Sequence, residues 1–148
     1  MIKYLKMLLL SSLAFVFVAC EKKVETGMAK VHWDRDMCVR CVMVVSDRKN
    51  TVQIRNPDTQ KTYMFDEIGC MAIWFEEEKI EWKDRAIVWI NDVNTGEFID
   101  ARKAFYDTQN VTPMAYGFSA HKSKETIKQG EEIIDYNEVI SRVLKIGP

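Results

Sequence analysis

The chain has 148 residues, with 21 Lys and Arg against 22 Asp and Glu, and a formal net charge of −1. That length permits one domain with its own core and no need of disulfide staples. The near-neutral balance, with no basic run, excludes the electrostatic footprint of a nucleic-acid binder or a polybasic membrane patch.

Residues 1–19, MIKYLKMLLLSSLAFVFVA, carry Lys3 and Lys6, no acid, and an apolar run from Met7 to the small residue Ala19. This is the pattern of a secretory signal, removed before folding. FVAC at 17–20 resembles a bacterial lipobox, so Cys20 is expected as the lipidated first residue of the exported chain. Glu21 stands where an aspartate would suggest inner-membrane retention. The expectation is therefore an outer-membrane lipoprotein facing the periplasm. Residues 20–35 read as a lipidated tether, polar and without periodicity, that spans about 50 Å when extended at about 3.5 Å per residue. The folded domain is expected over 36–148.

DMCVRCVM at 36–43 sets a methionine outside each member of a C-x-x-C pair. From Val42 the pattern turns to β. VMVVS (42–46) is an apolar run, TVQIR (51–55) alternates after a turn, and KTYMF (61–65) follows the turn signal Asn56-Pro57-Asp58. Asp66 is placed to cap a helix through Phe75, with Ile68, Met71, Ala72 and Phe75 on one face and Cys70, Ile73 and Trp74 on the other. RAIVWI (85–90) reads as a buried strand, and EFIDA (97–101) as another. In VTPMAYGFSA (111–120), Met114, Tyr116, Phe118 and Ala120 alternate as one face of a strand. A helix is predicted over Ser123–Gln129, stopped by Gly130, and a short strand at EII (132–134). Asp135 and Glu138 form the start of a last helix whose inner face holds Val139, Ile140, Val143 and Leu144. The mixture predicts an α+β domain with antiparallel hairpins, in two related halves.

Sulfur is the chemical signal. With Cys20 in lipid, Cys38, Cys41 and Cys70 remain, an odd count that argues against a disulfide framework. Soft thiolate and thioether donors select Cu(I), and Cys38 and Cys41 are close enough in sequence to share one ion. Met43 shares a face with Cys41 in an extended segment. Structural zinc needs a second pair of ligands, and no second C-x-x-C or H-x-x-x-H follows. Thiol–disulfide exchange is the rival of another class, although such pairs usually open a helix after a strand, whereas here a strand follows the pair. Met64 and Met71 read as core filler, and Met43 and Met114 remain open. Cys70 suits a small buried hydrophobe, with metal ligation as the alternative. His121 ends its strand as a further candidate, and His32 reads as solvated. No phosphate loop, nucleophile elbow or paired acid and base is present, so no enzyme is expected.

RDMCVRCVM, MFDEIGCMAIWF, FIDARKAFY and TPMAYGFSAH, in this order over residues 34–140, resemble the NosL family, the nitrous oxide reductase accessory lipoproteins. The resemblance implies a membrane-anchored periplasmic Cu(I) chaperone that works with an ABC-type maturation complex to supply the copper–sulfur cluster of nitrous oxide reductase. It implies a fold of two ββα-type halves, similar in topology to organomercurial lyase. It maps the copper ligands onto Cys38, Cys41 and Met43 in the first half and Met114 in the second. The family often carries glycine between the second cysteine and the methionine, where this chain has Val42. Members also occur apart from the reductase, so another copper client, or the oxidoreductase reading, is the alternative.

Overall fold

The computed structural model describes residues 27–148. The signal sequence, Cys20 and the first residues of the tether lie outside the described residues. Strand β1 (Val52–Arg55) is one of the two inner strands of the main sheet, paired on both edges. It runs antiparallel to β2 (Thr62–Phe65) on one side and to β3 (Ile87–Asn91) on the other, and β4 (Phe98–Asp100) closes the order β2-β1-β3-β4. The register places Phe65, Val52, Ile90 and Ile99 in one row across all four strands. One face of the sheet is thereby apolar, as period-2 alternation requires.

Helix α1 (Ile68–Glu77) follows β2 directly, and every residue from Ile68 to Phe75 is buried. Such a helix must be covered on both sides. The sheet covers one side and helix α2 (Tyr136–Ile146) packs on the other. Trp74 stacks among Tyr63, Phe65, Phe75 and Trp82 and ties the helix to β2 and the following turn. The second half is a ββα unit: β5 (Phe105–Asp107) pairs antiparallel with β6 (Ser119–His121), and α2 follows. A parallel bridge from Asp92 to Ala120 joins the two sheets. The Asp135 carboxylate accepts from the Glu138 N–H at 2.9 Å and caps α2 as the sequence predicts. Val139 and Val143 are fully buried, but Leu144 stands at the exposed rim.

Four predicted elements are corrected. Residues 42–46 form no strand; only Val44 makes an antiparallel bridge, to Met37. The predicted strand over 111–120 is interrupted by a turn at Thr112–Ala115, closed by the Ala115 N–H on the Thr112 carbonyl, with Ala115 and Gly117 at positive φ. Only Ser119–His121 remains a strand. The helix expected over 123–129 is a single 3-10 turn at Lys124–Thr126, because Ile127 is its lone apolar side chain and offers no stripe to bury. The strand at 132–134 reduces to one bridge, Ile134 to Tyr106.

Residues 29–35 are not a free tether. The Gln53 side chain bonds both the N–H and the carbonyl of Ala29, at 2.8 and 2.9 Å. Trp33 stacks on Phe98 while Arg48 lies over its ring. The Asp34 N–H reaches the Val45 carbonyl. Residues 29–35 thus run along the domain straight into the cysteine loop.

Candidate metal centre

The loop 36–45 is a tight hairpin without regular strands. The Val45 N–H donates to the Asp36 carbonyl, Cys38 N–H to Met43, and Val42 N–H to Cys38. Two further bonds fasten it to the domain. The Val39 N–H donates to the Met64 carbonyl of β2, and the Arg40 guanidinium makes two 2.9 Å bonds to the Glu77 carboxylate at the end of α1. These attachments turn the cysteines inward: Cys38 is 1 % exposed and Cys41 partly so.

Opposite the loop stands the start of α1. Asp66 precedes the extended residue Glu67, and Cys70 stands in the first turn of α1. The sulfurs of Cys38, Cys41 and Cys70 and an Asp66 oxygen all lie within 4.8 Å of one another. The Cys41 thiol donates to Asp66 Oδ2 at 3.3 Å, while Asp66 Oδ1 is buried with no partner. Asp66 is therefore no helix cap. The extended residue before α1 is Glu67, and its side chain caps nothing.

The thiols do not share their protons evenly. Cys38 is lowered to about 6, chiefly by the hydrogen bond from Cys70 and, against the cost of burial, by the backbone N–H groups of Cys41 and Asp66. Cys41 is pushed up to about 12, first by burial, then by Cys38 and Asp66. Cys70 is raised because its proton is committed to Cys38 and because it is buried. Cys38 is thus the first of the three to ionise, and Cys41 and Cys70 hold their protons longer. An ion that takes all three sulfurs releases the protons that remain on them.

The second half reaches the same helix turn. The Met114 N–H donates to Glu67 Oε1, and Glu67 is wholly buried, a burial that raises its carboxyl. The Tyr116 ring lies flat against Gly69, and its hydroxyl donates to the Gly147 carbonyl at 3.2 Å. A Cβ at Gly69 would stand 2.1 Å from the Tyr116 ring. The absent side chain is what lets the 112–116 turn dock beside Asp66 and Cys70. Met43 and Met114 are both partly exposed, one on the cysteine loop and the other on this turn.

Of the residues singled out in the sequence, the fold gathers Cys38, Cys41 and Cys70, with the Met43 and Met114 segments at their edge. It does not bring His121 to them. Its Nε2 is 2.8 Å from Asp107 and its Nδ1 meets Thr126 and Asn94 at 2.9 and 3.1 Å, so both ring nitrogens are already committed. Asp66 is absent from the ligands read from sequence because a capping role accounts for it there. Its spacing from Cys70 carries no helix signal, since Asp66 precedes the extended Glu67 and lies outside α1.

No family model matches the chain, and no curated protein does. Among solved structures it resembles the copper chaperone NosL from Shewanella denitrificans, with a TM-score of 0.60 over 75 % of this chain and 94 % of that one, at 16 % identity. The chain has a NosL-like fold. The mixed α+β architecture expected from the sequence is the architecture of that chaperone.

Val42, between Cys41 and Met43, sits at φ +60°. Its side chain is 67 % exposed, so it contributes no burial in return for a left-handed, β-branched backbone. Val42→Gly is expected to stabilise the domain by about 0.5–1 kcal/mol, the relief of about 1–2 kcal/mol of strain less the conformational entropy of glycine. Urea unfolding of the reduced protein measures it, and a lower midpoint would show that valine carries no strain there.

Proposed function

We propose that the chain is a non-catalytic Cu(I) carrier: a lipid-anchored envelope protein that takes copper on the cysteine cluster and passes it to a copper enzyme. The observation that carries this reading is the convergence of three sulfurs within 4.8 Å; the backbone of Met43 bonds to Cys38 and that of Met114 to Glu67, beside Asp66. Cu(I) is soft and favours thiolate and thioether over harder donors. Cys38, Cys41 and Cys70 supply strong thiolate ligands. Neutral thioethers bind less strongly, so Met43 and Met114 supply an exit through which a recipient's own sulfur can compete. The likeness to a copper chaperone fits the same role. As a disulfide exchanger the pair is poorly placed, since Cys38, the first thiol to ionise, is buried and faces Cys70 instead of an incoming disulfide.

The client we propose is nitrous oxide reductase with its ABC-type maturation complex, on the strength of the ordered NosL-like segments. The test is competition of the reduced full chain against a chromogenic Cu(I) chelator, followed by mixing with the copper-free reductase. Copper withdrawn from the chelator and then delivered to the reductase is the expected result. Withdrawal without delivery would point to another client, and no withdrawal would remove copper from the account.

Two variants probe parts of the reading. Met114→Ala should leave the fold intact and weaken Cu(I) binding roughly tenfold, the scale on which a supporting contact to a metal is felt. An unchanged affinity would take the second half out of the site. For location, acyl chains contribute about 0.8 kcal/mol per buried methylene, and two chains anchor a protein stably. Cys20→Ser should therefore move the protein out of the membrane fraction or stall its processing, and a fully processed variant still in membranes would end the lipoprotein reading.

A further inference from the structure

Asp66 is an awkward neighbour for Cu(I). It is 2 % exposed, its Oδ2 accepts only from the Cys41 thiol, and its Oδ1 is buried without any partner. A buried carboxylate oxygen left unpaired is costly, and natural structures rarely tolerate one that does nothing. A soft monovalent ion satisfied by sulfur gives that oxygen no role. A borderline divalent ion does.

We infer that the same cluster is a four-coordinate Zn2+ site, with Cys38, Cys41 and Cys70 as thiolate ligands and Asp66 as the carboxylate ligand. Zinc takes sulfur and carboxylate donors together in a tetrahedron, at about 2.3 Å for sulfur and 2.0–2.2 Å for oxygen. Two sulfurs on such an ion lie about 3.8 Å apart. Four donors already within 4.8 Å of one another need to move by only about 1 Å to close on it. Magnesium and calcium are excluded by the sulfur, which neither takes. The second ligand pair that the sequence pattern lacks comes from the helix entry, 25 and 29 residues beyond Cys41, as D-x-x-x-C.

The backbone is built for closure as well. The hairpin that presents Cys38 and Cys41 is fastened at its tip, by Val39 on β2 and Arg40 on Glu77, and closed at its base by the Val45 N–H on the Asp36 carbonyl, while Asp66 and Cys70 are both buried at the start of α1. Ligands held on rigid elements hold an ion without reorganisation. Zn2+ would keep the three thiols from pairing with one another in an oxidising compartment. It would yield to Cu(I), whose thiolate affinity is higher, without the carboxylate taking part.

The inference does not rest on the copper reading, and the experiment separates the two. The full chain, reduced and metal-free, is titrated with Co2+ as the spectroscopic probe, then with Zn2+, and separately with Cu(I). One equivalent of Co2+ should give the intense visible bands of a tetrahedral centre with thiolate charge transfer, and one equivalent of Zn2+ should bleach them. Asp66→Asn, which keeps shape and volume, should lose Zn2+ affinity by at least ten times more than it loses Cu(I) affinity; circular dichroism checks that it folds. Cys70→Ala should abolish the Co2+ bands. A chain that binds Cu(I) but shows no tetrahedral Co2+ spectrum overturns this inference and leaves the copper reading standing. Equal losses of both ions in Asp66→Asn also overturn it. Zn2+ binding without Cu(I) binding would uphold it and remove the copper proposal.

Discussion

Cys38→Ser is expected to lose high-affinity Cu(I) binding while the domain stays folded. Cys38 stands in the cluster with Cys41, Cys70 and Asp66, whose donor atoms all lie within 4.8 Å of one another. Hydrogen bonding from Cys70 lowers its pKa against the cost of burial, so of the three thiols it is the readiest to give up its proton to a metal. A serine hydroxyl fits the same space and accepts the same hydrogen bonds. It is harder and stays neutral, so it cannot replace a thiolate on Cu(I). Structural zinc sites bind with about 10–16 kcal/mol over four ligands, about 3 kcal/mol each, and a loss on that scale is on the order of a hundredfold in affinity. The chelator competition reads that loss directly, with circular dichroism as the control for folding. An affinity within about threefold of the parent would mean that Cys38 is a structural thiol.

Gly69→Ala should have the largest effect on stability of any substitution that adds a single methyl group. The new Cβ would fall 2.1 Å from Tyr116 Cδ2 and 2.4 Å from its Cγ, and Cγ is not the free end of a side chain. The ring cannot swing away without leaving its buried position and its bond to Gly147. Overpacking of this kind costs about 1–3 kcal/mol, set against less than 1 kcal/mol gained from alanine's helix propensity. The displaced ring carries the 112–116 turn with it, so the Glu67–Met114 bond should break as well. The expected signature is a lower urea midpoint together with a Cu(I) affinity reduced to that of Met114→Ala. A double variant no weaker than either single one would confirm that both act through the same contact. Unchanged stability would show that Tyr116 has room that its packing does not reveal.

Some of this molecule could be read from its residues and some could not, for physical reasons. Alternation at 51–55 and 61–65, the apolar stripe of 68–75 and the cap at Asp135 are local signals, and all four correspond to elements of the fold. The tract 111–120 alternates just as cleanly, yet Ala115 and Gly117 take positive φ and make it a turn, because Tyr116 is drawn onto Gly69. That is a tertiary contact between residues 47 apart in the chain, invisible to periodicity. The metal cluster divides in the same way. C-x-x-C announces itself by spacing, whereas Cys70 and Asp66 belong to the centre only because helix α1 enters beneath the cysteine hairpin. His121 shows the converse. A histidine at a strand end suits a metal site by sequence, but Asp107, Thr126 and Asn94 already engage both of its nitrogens.

Under the proposed function, copper sits on sulfur at the junction of the cysteine hairpin and the start of α1. Copper K-edge X-ray absorption of the reduced full chain, loaded with one equivalent of Cu(I), reads its ligands. The expected first shell has two or three sulfur scatterers with no nitrogen or oxygen, and it is lost in Cys38→Ser. A shell led by nitrogen or oxygen, or an all-sulfur shell that survives Cys38→Ser unchanged, would contradict it.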